Sequence, residues 1–249
     1  MEKLTDDPIV EALLEIRFES PELPELVVGR LSDLGPWRDA KKLRLPFAEV
    51  PSQIRSADQN LRFQPTIEVQ GAAGFGAVRV GGNVISLHLL RPYPGWESAY
   101  PRFCTCVEEM FAAIPSLSVS RIGLRYINAF SKARHHVGRV GDLAIELEVA
   151  GEAVTRPINL TMLYPDSDRF VIQTRVVAPE YLSGNVPEGT TAVVDIDVST
   201  PRRFTSSSLD DVRTWVNEAH TKEKGAFRQL LPDALYEALR EKRDHAASH

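Results

Sequence analysis

The sequence predicts an α+β protein, in which a mainly antiparallel, curved sheet has helices packed on one face. Two observations support this class. Segments with the two-residue alternation of strands outnumber segments with helical spacing. Few helices separate consecutive strands, so we expect most neighbouring strands to run antiparallel. The 249-residue chain is 43% apolar and 25% charged, which is typical of globular proteins.

The first half of the chain is divided by prolines and glycines. Apolar and charged residues alternate from Leu14 to Glu19, which predicts a half-buried strand over 9–19. Pro24 and the apolar residues spaced helically after it predict a helix over 22–34. The other predicted elements are strands over 61–69, 75–80, 84–90 and 118–131 and a helix from Trp96 to Ile114, while 36–60 is irregular.

The second half is predicted to be rich in strands. They lie near 142–149, 156–164, 169–178 and 190–199, with a turn at 183–185. Ser208 stands three residues before Asp211, an N-cap pattern that predicts a helix over 209–220. Pro232 opens a final helix. Since strands followed by a helix occur twice, we predict two related halves, 1–135 and 136–249, with one continuous domain as the alternative.

The composition argues against several classes of protein. No apolar run exceeds five residues, so no membrane-spanning helix is expected. The N-terminal residues lack the apolar core of a signal peptide, and the protein is expected in the cytoplasm. Cys104 and Cys106 fit small buried side chains better than a disulfide. With 29 basic and 34 acidic residues, the chain has a net charge of −5, which makes nucleic acid an unexpected partner.

Charged residues cluster on one face of three predicted strands. Their shared parity places them on that face, and we call these seven residues the ionic face: Glu15, Arg17, Glu19, Arg121, Arg125, Asp195 and Asp197. One interpretation is a solvated surface on which opposite charges pair between strands and which takes a partner or ligand. If the sheet closes into a barrel, the alternative is a tunnel with acids on Mg²⁺ and arginines on phosphate.

Few other residues suggest chemistry. Tyr93 and Trp96 lie in a proline-rich segment, either as an aromatic contact for a partner or as part of a rigid strand-to-helix corner. His88 is interpreted as an isolated, partly buried side chain. No zinc, nucleophile, nucleotide-binding or dinucleotide-binding motif is recognised, so no catalytic residue, metal or cofactor is assigned.

Several segments resemble an uncharacterised, sporadically distributed family of bacterial proteins. They are Asp7-Pro-Ile-Val-Glu-Ala-Leu-Leu-Glu-Ile-Arg-Phe18, Arg91-Pro-Tyr-Pro-Gly-Trp-Glu97 and Arg121-Ile-Gly-Leu-Arg-Tyr-Ile-Asn128, with a looser C-terminal similarity over 193–198 and at Trp215, His220 and Phe227. The resemblance implies no established activity, cofactor or catalytic residue. A patchy distribution is typical of accessory genes, including toxin–antitoxin and phage-defence modules.

Two main functional hypotheses follow. The first is a cytoplasmic, non-enzymatic protein that binds another protein, as the neutralising member of a toxin–antitoxin or phage-defence module. The second is a Mg²⁺-dependent phosphate- or triphosphate-handling enzyme, with Glu15, Asp195 and Asp197 on metal and Arg17, Arg121 and Arg125 on substrate. Binding of a small ligand by the concave sheet and formation of a homo-oligomer stay open alternatives.

Overall fold

The computed structural model describes Leu4 and residues 6–72, 76–181 and 186–240, with backbone only for 71 and 72. The predicted turn at 183–185 and the predicted strand start at Phe75 lie outside these residues.

Nine of the described strands form one antiparallel sheet. In chain order the strands are β1 (Ile9–Glu19), β2 (Lys41–Arg44), β3 (Ile67–Ala72), β4 (Gly76–Gly81), β5 (Val84–Leu90), β6 (Ser118–Ser131), β7 (Glu148–Val149), β8 (Glu152–Ala153), β9 (Asn159–Pro165), β10 (Val171–Val177) and β11 (Thr190–Ser199). The sheet order is β2-β3-β4-β5-β1-β6-β11-β10-β9, while β7 and β8 pair separately. The predicted fold class is confirmed.

The helices are α1 (Pro24–Ser32), α2 (Ser52–Ala57), α3 (Trp96–Ala113), α4 (Lys132–His135), α5 (Leu209–Gln229) and α6 (Asp233–Arg240). The predicted cap begins α5, because the Ser208 hydroxyl accepts a hydrogen bond from the Asp211 amide at 3.2 Å. Gly95 precedes α3 with a φ of +83°, a conformation that favours glycine. Among the described residues, no helix has the length and apolar character needed to cross a membrane.

The core lies between the sheet and the helices. Leu14, Ile16 and Phe18 of β1 are at most 1% exposed and share one apolar cluster with Phe103 of α3 and Trp215 of α5. Burying each such side chain contributes roughly 2 kcal/mol. The residues that alternate with them point to the opposite face of the sheet, which we call the helix-free face.

The two halves share an order of strands. In the first half β1 pairs with β5, followed outward by β4 and β3. In the second half β6 pairs with β11, followed outward by β10 and β9. A helix follows each set, and β1 and β6 join the halves at the centre of the sheet. The first half has one further strand, β2, beyond β3. The boundary between 135 and 136 stays a prediction.

Two predicted strands are wrong over most of their length. The strand predicted over 61–69 begins only at Ile67, because the Asp58 carbonyl accepts hydrogen bonds from the Leu61 and Arg62 amides and closes a turn. The strand predicted over 142–149 is reduced to Glu148–Val149.

Candidate binding surface

The ionic face lies on the central strands of the sheet. β1, β6 and β11 are direct neighbours, so the structure brings together residues that are far apart in sequence. All seven residues alternate with the buried residues of their strands and therefore lie on the helix-free face. The parity predicted from the sequence thus describes one continuous surface.

Glu15 is at the centre of an ion-pair network. Its Oε1 accepts hydrogen bonds from Arg17 Nε at 2.8 Å and from Arg121 Nη1 at 3.0 Å. Arg121 Nη2 donates to Asp197 Oδ2 at 2.7 Å. Arg17 and Arg121 are directly opposite each other in the β1–β6 register, so the carboxylates offset a repulsion between like charges. Burial raises the pKa of Asp197, against the lowering effects of Arg121 and Arg125.

A glycine makes room for this network. Gly123 stands directly opposite Glu15 on β6. A Cβ at this position would lie 2.6 Å from Arg121 Nη1 and 3.1 Å from Asp197 Oδ1. Glycine within a strand often marks such a close approach of another group. The Arg121 guanidinium can therefore cross its own strand and reach carboxylates on both sides.

Arg125 and Asp195 form the second part of the ionic face. Arg125 Nε and Nη2 donate to Asp195 Oδ1 and Oδ2 at 2.7 and 2.6 Å, the bidentate geometry of a strong charge-assisted pair. The Asp195 side chain is only 8% exposed, whereas that of Arg125 is 40% exposed. The hydrogen bond with Asp195 raises the pKa of Arg125. The cation is thus fixed by a buried acid and presented to solvent.

Polar contacts that the sequence analysis missed extend the helix-free face toward β5 and β4. His88 Nδ1 lies 2.6 Å from Glu11 Oε1, and His88 Nε2 lies 2.8 Å from Ser86 Oγ. Arg79 Nε donates to Glu68 Oε2 at 2.7 Å. The interpretation of His88 as isolated is wrong, because both of its ring nitrogens have side-chain partners. The hydrogen bond with His88 lowers the pKa of Glu11. The alternation of the strands could have placed these side chains on the helix-free face, but it does not indicate which residues they contact.

Glu19 occupies one end of the ionic face. It forms an ion pair with Arg62, which belongs to the turn that replaces the predicted strand. The Phe63 ring lies under two guanidinium groups, 5.0 Å from Arg17 Cζ and 5.6 Å from Arg62 Cζ. The segment between α2 and β3 therefore borders the ionic face and holds its outermost arginine in place.

These contacts define the chemistry open to the ionic face. Glu15, Asp195 and Asp197, the proposed metal ligands, each accept a hydrogen bond from an arginine, which Mg²⁺ would have to displace. Among the described residues, no group of three or more histidine, cysteine, aspartate or glutamate residues could hold a metal ion. The described strands form an open sheet with edges β2 and β9, so they do not enclose a tunnel. The three carboxylates are therefore engaged by arginines on one face of an open sheet.

Tyr93 and Trp96 lie away from the ionic face. Tyr93 Oη is 3.0 Å from Tyr126 Oη, and the Trp96 ring stacks on His220 with centroids 3.8 Å apart. Both side chains are half-buried and engaged within the chain. These contacts favour the interpretation of a rigid corner before α3.

A buried polar cluster surrounds this corner. Tyr126 Oη lies 3.3 Å from His220 Nδ1, and Glu223 is one helical turn beyond His220 on the same side of α5. Burial lowers the pKa of His220 to about 3 and raises that of Glu223 to about 8. Burial also raises the pKa of both Tyr93 and Tyr126, and the Glu223 charge adds to this effect. The cluster joins the segments 91–97 and 121–128 to α5.

No protein-family model and no curated protein matches this chain. The resemblance to a sporadically distributed bacterial family therefore stays a prediction.

Proposed function

We propose that this protein binds another protein through the ionic face and acts as the neutralising member of a toxin–antitoxin or phage-defence module. The observation that carries the binding role is the internally bonded set of charges of both signs on the helix-free face. The particular module rests on the resemblance to the sporadically distributed bacterial family.

The charge pattern supports a protein as the partner. Three arginines and three carboxylates pair within two neighbouring sets, Arg17–Glu15–Arg121–Asp197 and Arg125–Asp195, so the surface offers both signs at fixed positions. Such a pattern suits a partner with complementary charges of both signs, because electrostatic complementarity sets specificity and register. It does not suit a phosphate backbone, which selects surfaces with excess positive charge.

The fixed orientation of the arginines supports the same proposal. Arg125 is held at two nitrogens and Arg17 at its Nε, with the rest of each guanidinium available for further hydrogen bonds. Arginine is enriched at protein interfaces and is often among the residues that contribute most to binding. Since these side chains are already ordered, less of their conformational entropy would be lost when a partner docks.

The experiment exchanges the two residues of an ion pair, so that the pair itself is kept. The swap of Arg125→Asp with Asp195→Arg keeps opposite charges adjacent while reversing the polarity that a partner meets. Each product of the neighbouring genes is co-expressed with this chain, and the affinity of any stoichiometric complex is measured by calorimetry. We expect the swap to weaken binding by about 30-fold or more, as for loss of an interfacial charge pair. A cooperative thermal transition of the swapped protein, recorded alongside, shows that it folds despite the larger side chain at the buried position 195.

A matched control exchanges a pair on the helix-covered side of the sheet. Arg169 Nη1 and Glu218 Oε2 are 2.7 Å apart, and both side chains are partly exposed. The swap of Arg169→Glu with Glu218→Arg should leave the affinity unchanged. Equal affinities for the two swapped variants, or failure of any neighbouring gene product to form a complex, would contradict the proposal.

A further inference from the structure

The β9 edge of the sheet is unusually apolar and exposed. Met162, Leu163 and Tyr164 are among the large hydrophobic side chains that are most exposed, at 36%, 67% and 38%. Leu163 lies on the helix-free face, while its two neighbours lie on the other face. No residue of Pro157–Pro165 carries a charge. Apolar side chains therefore overhang the edge on both faces.

The backbone of this edge is oriented for pairing. The Ala178 amide donates to the Ile158 carbonyl, and the Asp166 amide donates to the Phe170 carbonyl. Hydrogen-bonded residues alternate in an antiparallel ladder, so the even-numbered residues of β9 bond to β10. The amides and carbonyls of Thr161 and Leu163 consequently point away from the sheet. In the described part of the chain, β9 has no strand on that side.

The opposite edge shows how this chain protects a strand. β2 is four residues long, and Lys41, Lys42 and Arg44 give it three positive charges. Short, lysine-bearing edge strands are the usual protection against pairing with another chain. β9 is seven residues long and has none of these features. Natural sheets rarely leave such an edge open, which indicates that something covers it.

The strand order of the two halves indicates what kind of element belongs there. β3 and β9 hold corresponding places, third from the central strand of their half. β3 is covered by β2, whereas the corresponding place beyond β9 holds no described strand. By this correspondence, the element expected beyond β9 is a strand.

We infer that the missing strand is β9 of a second copy of this chain, paired antiparallel about a two-fold axis at Met162. In this register Thr161 pairs with the partner's Leu163, and the outward amides and carbonyls of both find partners. An uncharged strand pairs with itself without repulsion.

The flanking charges also match. Arg156 precedes β9 and Asp168 follows it, and both are exposed. In the Met162 register Arg156 of one copy and Asp168 of the other come to the same end of the paired strands, so opposite charges lie near each other at both ends. The axis is perpendicular to the sheet, and both ionic faces would lie on the same side of one continuous sheet. This inference is independent of the proposed function.

The test measures the mass of the full chain by sedimentation at micromolar concentration. We expect a dimer for the wild type and for the control Val149→Lys, which places a lysine at an exposed apolar position outside β9. Leu163→Lys should give a monomer, because it places a charge beside its copy across the axis. Thr161→Pro should do the same by removing only an outward amide. A single cooperative thermal transition shows that both variants fold, at a midpoint below that of the wild type because the dimer no longer stabilises the native state.

Hydrogen exchange gives a second readout that does not depend on any variant. The Thr161 and Leu163 amides should exchange slowly in the dimer and become fast on dilution. The Leu160 and Met162 amides bond to β10 and should stay protected at both concentrations. A monomeric wild type, an assembly larger than a dimer, a folded Leu163→Lys variant that stays dimeric, or a monomeric Val149→Lys variant would each overturn the inference.

Discussion

The buried cluster on α5 predicts a stability that depends on pH in both directions. Glu223 is 4% exposed, and burial raises the pKa of its carboxyl from 4.5 to about 8. Between these values the folded protein keeps a proton that the unfolded chain has lost, so the free energy of unfolding falls as the pH rises. Burial lowers the pKa of His220 from 6.5 to about 3, so its effect is opposite. There the unfolded chain binds the proton, and stability falls as the pH decreases.

The two effects overlap in a defined window. From pH 4.5 to 6.5 both groups titrate with opposite slopes of about 1.4 kcal/mol per pH unit, and their sum is nearly constant. Above pH 6.5 only the Glu223 effect continues, and it lowers the free energy of unfolding by about 2 kcal/mol by pH 8. Below pH 4.5 only the His220 effect continues, and it lowers the free energy of unfolding by a similar amount by pH 3.

Urea unfolding across this pH range measures the effect. Glu223→Gln keeps the size of the side chain and removes the titration, so its stability should not show the loss of about 2 kcal/mol above pH 6.5. Subtracting the variant from the wild type cancels the other titrating groups. Identical pH profiles for the two proteins would refute the reasoning, because Glu223 would then be ionised within the folded protein at neutral pH.

Three further predictions concern single side chains. Arg125→Ala should lower the free energy of unfolding by about 2–3 kcal/mol in chemical denaturation, because the buried carboxylate of Asp195 loses its partner; an unchanged value would mean that Asp195 finds other donors. Gly123→Ala should cost about 1–2 kcal/mol in the same assay, since the added Cβ displaces the Arg121 guanidinium, and should cost less in an Arg121→Ala background. The thiol of Cys106, which is 2% exposed and whose pKa burial raises to about 12, should react with a disulfide reagent only on unfolding; rapid labelling of the native protein would contradict this.

Local patterns were sufficient to predict the faces of the central strands. Alternation in β1, β6 and β11 placed every member of the ionic face correctly relative to the sheet, because side-chain direction follows from strand parity alone. The partners were not predictable in the same way. That Glu15 accepts hydrogen bonds from both Arg17 and Arg121 depends on the register between β1 and β6, which is set by the whole sheet.

Elements that depend on tertiary contacts were predicted less well. Leu61 and Phe63 suggested a strand, yet the carbonyl of Asp58 forms a turn there and the Phe63 ring packs against guanidinium groups. The predicted helix over 209–220 stopped too early, since the polar residues after His220 give no clear apolar stripe. Glu223 is an example of a residue that hides the apolar stripe. A glutamate is expected at the surface, and its burial follows only from the packing of α5 on the sheet.

The most direct test of the ionic face as a binding surface is to observe its guanidinium groups while a partner is added. The Nε–H signals of arginine can be followed by ¹H–¹⁵N NMR as a co-purified neighbouring gene product is titrated in. Binding at the ionic face predicts shifts for Arg17, Arg121 and Arg125, with the signals of Arg169 and Arg213 unchanged. Shifts confined to Arg169 and Arg213 would place the partner on the helices and contradict the account.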